Sequence, residues 1–96
     1  MAALDLLGRR WALRVLWELR DGPLGARALL ARCGGLSSSV LYDRLRDLEE
    51  AGLVNRHDQG WELSPLGADL GDALAPLDSW SRRWANAESP SAERRP

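Results

Sequence analysis

The chain has 96 residues, 45% of them hydrophobic and 28% charged, with a formal net charge of −1. That length makes one small domain of modest stability, and its single cysteine, Cys33, excludes an internal disulfide framework and an all-cysteine metal site. No apolar run approaches the roughly 18 residues of a membrane span, and no signal or lipidation pattern is present, so no membrane partner and a cytoplasmic setting are expected.

The distribution of charge says more than its sum. All 13 basic residues are arginine, against 14 acids. Residues 1–35 carry six Arg against Asp5, Glu18 and Asp21, whereas residues 36–60 carry three Arg against five acids. Nucleic-acid-binding domains are often basic. A near-neutral total with a basic first third neither requires nor forbids such a partner.

In chain order, "LDLLGRRWALRVLWELRDG" (4–22) predicts one helix by periodicity, with Trp11, Val15 and Leu19 on one face and Arg10, Arg14, Glu18 and Asp21 opposite. Gly22-Pro23 is expected to end it. A short second helix follows, with Ala26, Leu29, Leu30 and Cys33 on one side, and Gly34-Gly35 closes it. Two short helices about a tight Gly turn have helix-turn-helix spacing. Ser37 is a good N-cap for a third helix. Val40, Leu41, Leu45 and Leu48 form its buried stripe, and Ser39, Tyr42, Asp43, Arg46 and Glu50 its outer face. Gly52 suits a left-handed stop. "LVNRHDQGWELS" (53–64) reads as two short strands about an Asp58-Gln59-Gly60 turn. From Pro65 a last helix runs to about Trp84, with Leu66, Leu70, Leu74, Leu77 and Trp84 down one side and Pro76 expected to kink or divide it. Residues 1–85 thus form one domain, and the tail 86–96 is expected to be disordered.

The resulting fold class is mainly α with a small two-stranded β-hairpin. The stretches "LDLLGRRWALRVLWEL" (4–19), "GLSSSVLYDRLRDLEEAGLVNR" (35–56), "WELSPLG" (61–67) and "LDSWSRRW" (77–84) resemble the HxlR-type family of bacterial transcription regulators, relatives of the MarR group. That resemblance implies a winged helix-turn-helix that dimerises through its N- and C-terminal helices and acts, as a repressor, on operator DNA. It places Leu4, Leu7, Trp11, Leu70, Leu74, Leu77, Trp80 and Trp84 at a homodimer interface. It also brings a small aromatic effector into view, since five tryptophans stand in the chain.

The third helix poses the electrostatic question, because Arg44 and Arg46 face Asp43, Asp47, Glu49 and Glu50. Recognition helices offer their N-terminal residues to base edges. The expected double-stranded DNA contacts are therefore Ser37, Ser38, Ser39, Tyr42, Asp43 and Arg46. Arg27 and Arg32 on the preceding helix and Arg56 with His57 in the wing complete them. Arg46 is suited to guanine and Asp43 to a cytosine amino group, while the serine hydroxyls and free N–H groups suit a phosphate. Asp47, Glu49 and Glu50 lie in the last turns, where they avoid the backbone of the duplex. The competing reading is a protein-interaction module, an anti-repressor or assembly partner, that kept the fold and lost the DNA. The acidic helix, the short wing and Gly25-Ala26 all suit it.

No catalytic set is legible. His57 is the sole imidazole, the serines at 37–39 have no partner near in sequence, and no phosphate-binding Gly loop precedes a lysine. Neither an enzyme, a metal nor a cofactor is expected, and Cys33 reads as a core residue.

Overall fold

Gly8 interrupts the first amphipathic stretch. The computed structural model describes residues 2–94, with side chains described for 4–87. In it the expected single helix is two, α1 (Ala2–Leu7) and α2 (Ala12–Glu18). The Gly8 N–H makes a last α-helical bond to the Leu4 carbonyl at 2.8 Å, and the Arg9 N–H then closes on Leu6 at 3.2 Å, a tighter turn that leaves the α-helical path. Trp11 then adopts φ 75, a left-handed conformation costly for a bulky side chain. Its half-buried indole packs against the core, and that burial offsets the backbone cost. Periodicity cannot register such a break, because the apolar face continues across it. α2 also ends earlier than Gly22-Pro23 suggests, since residues from Leu19 onward form turns closed by Arg20 N–H to Trp17 and Gly22 N–H to Leu19.

The central elements follow the sequence closely. α3 (Ala26–Cys33) buries Leu29 and Cys33 and stops at Gly34 and Gly35, both with positive φ. α4 (Ser38–Glu50) starts where the Ser37 hydroxyl accepts the Val40 N–H at 3.3 Å. Leu41, Leu45 and Leu48 recur on one face of α4, and none of the three is exposed. With Val15, Leu16, Leu19, Leu29 and Val54 they form the centre of the core, where α2, α3 and α4 meet.

The wing is an antiparallel pair, β1 (Val54–His57) and β2 (Gly60–Leu63), registered Val54 to Leu63 and His57 to Gly60. Leu24 adds a one-residue bridge to it, exchanging two backbone hydrogen bonds with Trp61 at 3.0 and 2.9 Å. Glycine is required at position 60, because a Cβ there would run into the Leu24 carbonyl and lie 2.6 Å from the Gly25 Cα. That close approach anchors the hairpin to the segment before α3.

Ser64 joins three elements. Its hydroxyl donates to the Gly52 carbonyl at 2.6 Å and accepts the Gly67 N–H at 3.0 Å, capping α5 (Pro65–Arg94) against the end of α4. Pro76 sits inside α5 without ending it. At about 1.5 Å per residue a 30-residue helix dominates the 52 Å long dimension of the molecule. Its helical trace continues to Arg94, through part of the segment assigned from sequence to a disordered tail. The side chains from 88 onward and residues 95–96 lie outside the described residues.

Candidate nucleic-acid interface

The core contacts of Leu41, Leu45 and Leu48 fix which way α4 faces. Ser38, Ser39, Tyr42, Asp43 and Arg46 are then exposed on its N-terminal half, with Tyr42 49% accessible. Ser37 is committed to the cap, and its hydroxyl also lies 3.3 Å from that of Ser39. The first-turn N–H groups of any helix lack intrahelical acceptors and favour an anion. The tip of α4 is therefore polar, hydroxyl-rich and free of carboxylates up to Asp43.

Three of the four acids on α4 have arginine partners. Asp47 forms an ion pair with Arg9 at 2.7 Å and faces Arg44 at 3.3 Å. Glu49 meets Arg56 of the wing at 3.3 Å, and Asp43 meets Arg46 at 3.4 Å. Only Glu50 has no arginine within salt-bridge distance among the described residues. The negative excess read from the sequence is thus largely compensated, and Arg9 does part of that from outside the helix-turn-helix. No local pattern links Arg9 to Asp47; the pair exists because the break at Gly8 turns the chain toward the end of α4.

These pairs differ in strength. Asp47 is only 17% exposed, so its pairing with Arg9 is held in a partly dry setting. The Arg46–Asp43 and Arg56–Glu49 pairs are solvent-facing, with Arg46 64% and Arg56 74% exposed. Exposed pairs are worth about 0–1 kcal/mol each, so a phosphate or a base edge can displace either carboxylate at small cost. Arg56 is also steered by an aromatic face, its guanidinium carbon lying 4.8 Å from the Trp61 ring centroid. Trp61 was not singled out as a positioning residue from sequence, although its place opposite Arg56 in the hairpin register is the signal that identifies it.

The remaining expected contacts occupy separate positions. Arg27 and Arg32 are exposed on α3, and His57 is exposed at the end of β1, where its Nδ1 accepts the Gln59 N–H at 3.3 Å. Arg14 is engaged elsewhere, donating to Glu18 at 2.7 Å and to the Arg32 carbonyl at 2.9 Å, which ties α2 to the end of α3. Cys33 is buried, and burial raises its thiol above the ordinary value while Arg14 pulls it down, so it is held as a neutral core group. Among the described residues no His, Cys, Asp or Glu cluster suits a metal ion, and no helix is long and apolar enough to cross a membrane.

The residues assigned from sequence to a dimer interface divide into two groups. Trp11, Leu70 and Leu74 are partly buried against the core. Leu4, Leu77, Trp80 and Trp84 are exposed by 64, 49, 51 and 53%, and Leu66, from the same expected stripe of the last helix, is exposed by 58%. Trp80 and Trp84, four residues apart on α5, stack with centroids 6.0 Å apart and planes 8° from parallel. Leu7 is half-buried between these sets.

Comparison with known proteins bears on the same region. Residues 6–89 match the family described as HxlR-like helix-turn-helix. The chain is 31% identical over 86 residues to the HTH-type transcriptional regulator YvaP of Bacillus subtilis, covering 86% of this chain and 80% of that one. It is 32% identical over 79 residues to the regulator YtfH of Escherichia coli, covering 74% of this chain but 62% of that one. Quinone-bound YodB of B. subtilis superposes with a TM-score of 0.78 at 27% identity, covering 85% of this chain and 93% of YodB.

Proposed function

The chain belongs to the HxlR-like helix-turn-helix family, and as a DNA-binding transcriptional regulator of that family we propose that it acts as a homodimer on operator DNA, as a repressor in the cytoplasm. α4 enters the major groove. Its exposed N-terminal half presents Ser38, Ser39, Tyr42, Asp43 and Arg46, while Ser37 holds the cap. Arg27, Arg32, Arg56 and His57 reach the phosphates on either side. The observation that carries this reading is the absence of acid from the first turn of α4, while Asp47, near its other end, is paired with Arg9 and Arg44. α5 and α1 supply the dimer contact through Leu4, Leu7, Leu77, Trp80 and Trp84, with Trp11, Leu70 and Leu74 behind them. No catalytic role is proposed.

Quinone-bound YodB supports a small effector for this chain as well, and the aromatic character expected of it rests on the tryptophans. The comparisons do not favour the interaction-module alternative, since the relatives are HTH-type transcriptional regulators by name.

Arg46→Ala tests the reading directly. Selection from a randomised duplex pool with the native chain should return a preferred half-site. The variant should bind it about 1–3 kcal/mol more weakly and lose preference at one base pair per half-site. Equal weakening on all sequences would make Arg46 a phosphate contact, and failure of the native chain to select any sequence would remove the operator reading.

A further inference from the structure

The leucine stripe of α4 decides which side of the helix faces the core, but a single apolar stripe fixes roll more firmly than tilt. Helix crossing angles scatter by about 15–20° within one packing class. From Asp47 back to Ser38 the helix rises about 13.5 Å, so a tilt of roughly 15° moves the tip by about 3.5 Å. That displacement exceeds the length of a hydrogen bond, and base recognition therefore needs a second restraint beside the stripe.

Asp47 stands where such a restraint acts, in the last turn of α4 and one residue before buried Leu48. Its Oδ1 lies 2.7 Å from Arg9 and its Oδ2 3.3 Å from Arg44. The Arg44 contact is poorly aligned, since Arg44 Nε and Asp47 Oδ2 are both buried without a hydrogen bond. Arg9 is thus the stronger partner of this carboxylate. The turn that carries Arg9 is itself held. Gly8 ends α1, the Arg9 carbonyl accepts the Ala12 N–H at 3.1 Å, and Trp11 keeps φ 75 with its indole against the core. A bulky residue stays in that backbone region only where its surroundings over-determine it, and such strain gathers where a side chain must be aimed. We propose that Arg9 is a positioning residue for base recognition. Without touching the duplex, it grips Asp47 and ties the α1–α2 turn to the end of α4. That grip sets the tilt at which Ser38, Ser39, Tyr42, Asp43 and Arg46 meet the bases. This rests on the reading of α4 as the helix that faces the duplex.

Fluorescence anisotropy on the full chain tests it, with the selected duplex and a scrambled one, each over a range of salt. R9Q should lower the selected-to-scrambled affinity ratio about fivefold, with the salt slope unchanged and the dimer intact in sedimentation. D47N should do the same, R9Q/D47N should be no worse than either single variant, and R9K should restore most of the ratio. A slope reduced by about 0.9 per subunit in R9Q would make Arg9 a phosphate contact. An unchanged ratio, or additive losses, would reduce the pair to surface pairing, and a monomeric R9Q would move Arg9 into the subunit contact. Each of these results overturns the proposal. Amide hydrogen exchange needs no DNA: R9Q and D47N should each speed exchange at Leu48–Ala51, and unchanged exchange overturns the grip whether or not a duplex binds. A native chain that selects no duplex, while R9Q still speeds exchange, overturns the operator reading and the role in base recognition but leaves the grip standing.

Discussion

Trp80→Glu is expected to yield a folded monomer that has lost specific duplex binding at concentrations where the native chain retains it. Trp80 is half exposed, stacks on Trp84 rather than on the core, and lies next to exposed Leu77 on the same helix. Replacing such a side chain in the isolated chain should change folding stability by no more than about 0.5 kcal/mol. Within a two-fold interface each substitution occurs twice, and a buried carboxylate without a partner is strongly unfavourable. Loss of the second half-site contact then removes an avidity on the order of 10²–10⁴. Sedimentation velocity reads the dimer and fluorescence anisotropy reads the duplex. A dimer that persists in Trp80→Glu would place the contact elsewhere on the molecule.

Leu45→Ala should lower the unfolding free energy by about 2–5 kcal/mol in a denaturant titration. Leu45 has no exposed surface and packs in the cluster where α2, α3 and α4 meet. Removing its isobutyl group opens a cavity in the cluster that also holds Leu16, Leu29, Leu41 and Leu48, all equally buried. A domain of this size holds only about 5–14 kcal/mol in total, by the usual 0.05–0.15 kcal/mol per residue. The substitution therefore consumes a large share of its stability, and it loosens the seating of α4 before the chain unfolds. Tyr42→Ala, three residues earlier on the exposed face, should change stability by less than about 0.5 kcal/mol. Similar losses at 42 and 45 would show that α4 is not oriented by its leucine stripe.

The contrast between those two positions was legible from the 3.6-residue period alone, as were the Ser37 cap, the glycine stops at 34, 35 and 52 and the hairpin. Each depends on residues within a few positions of one another. What escaped the sequence depends on distant partners. The break at Gly8 hides inside a continuous apolar face and appears only as the left-handed Trp11. The Leu24–Trp61 bridge joins segments with no shared pattern. The same holds for the candidate interface. The exposure of Ser38, Ser39, Tyr42, Asp43 and Arg46 followed from the stripe, but the compensation of the acids did not. Arg9 reaches Asp47 across 38 positions in the chain, and Arg56 is set between Glu49 and the Trp61 ring by the wing.

An acidic reading helix can serve a duplex only if cations around it supply the grip. The decisive measurement is the affinity for a selected duplex as a function of salt, read by fluorescence anisotropy from low ionic strength upward. With about four phosphates neutralised per subunit by Arg27, Arg32, Arg56 and His57, log K should fall against log salt with a slope near −3.6 per subunit, or about −7 for the dimer. A slope near zero, or no binding at micromolar protein in low salt, would contradict the account.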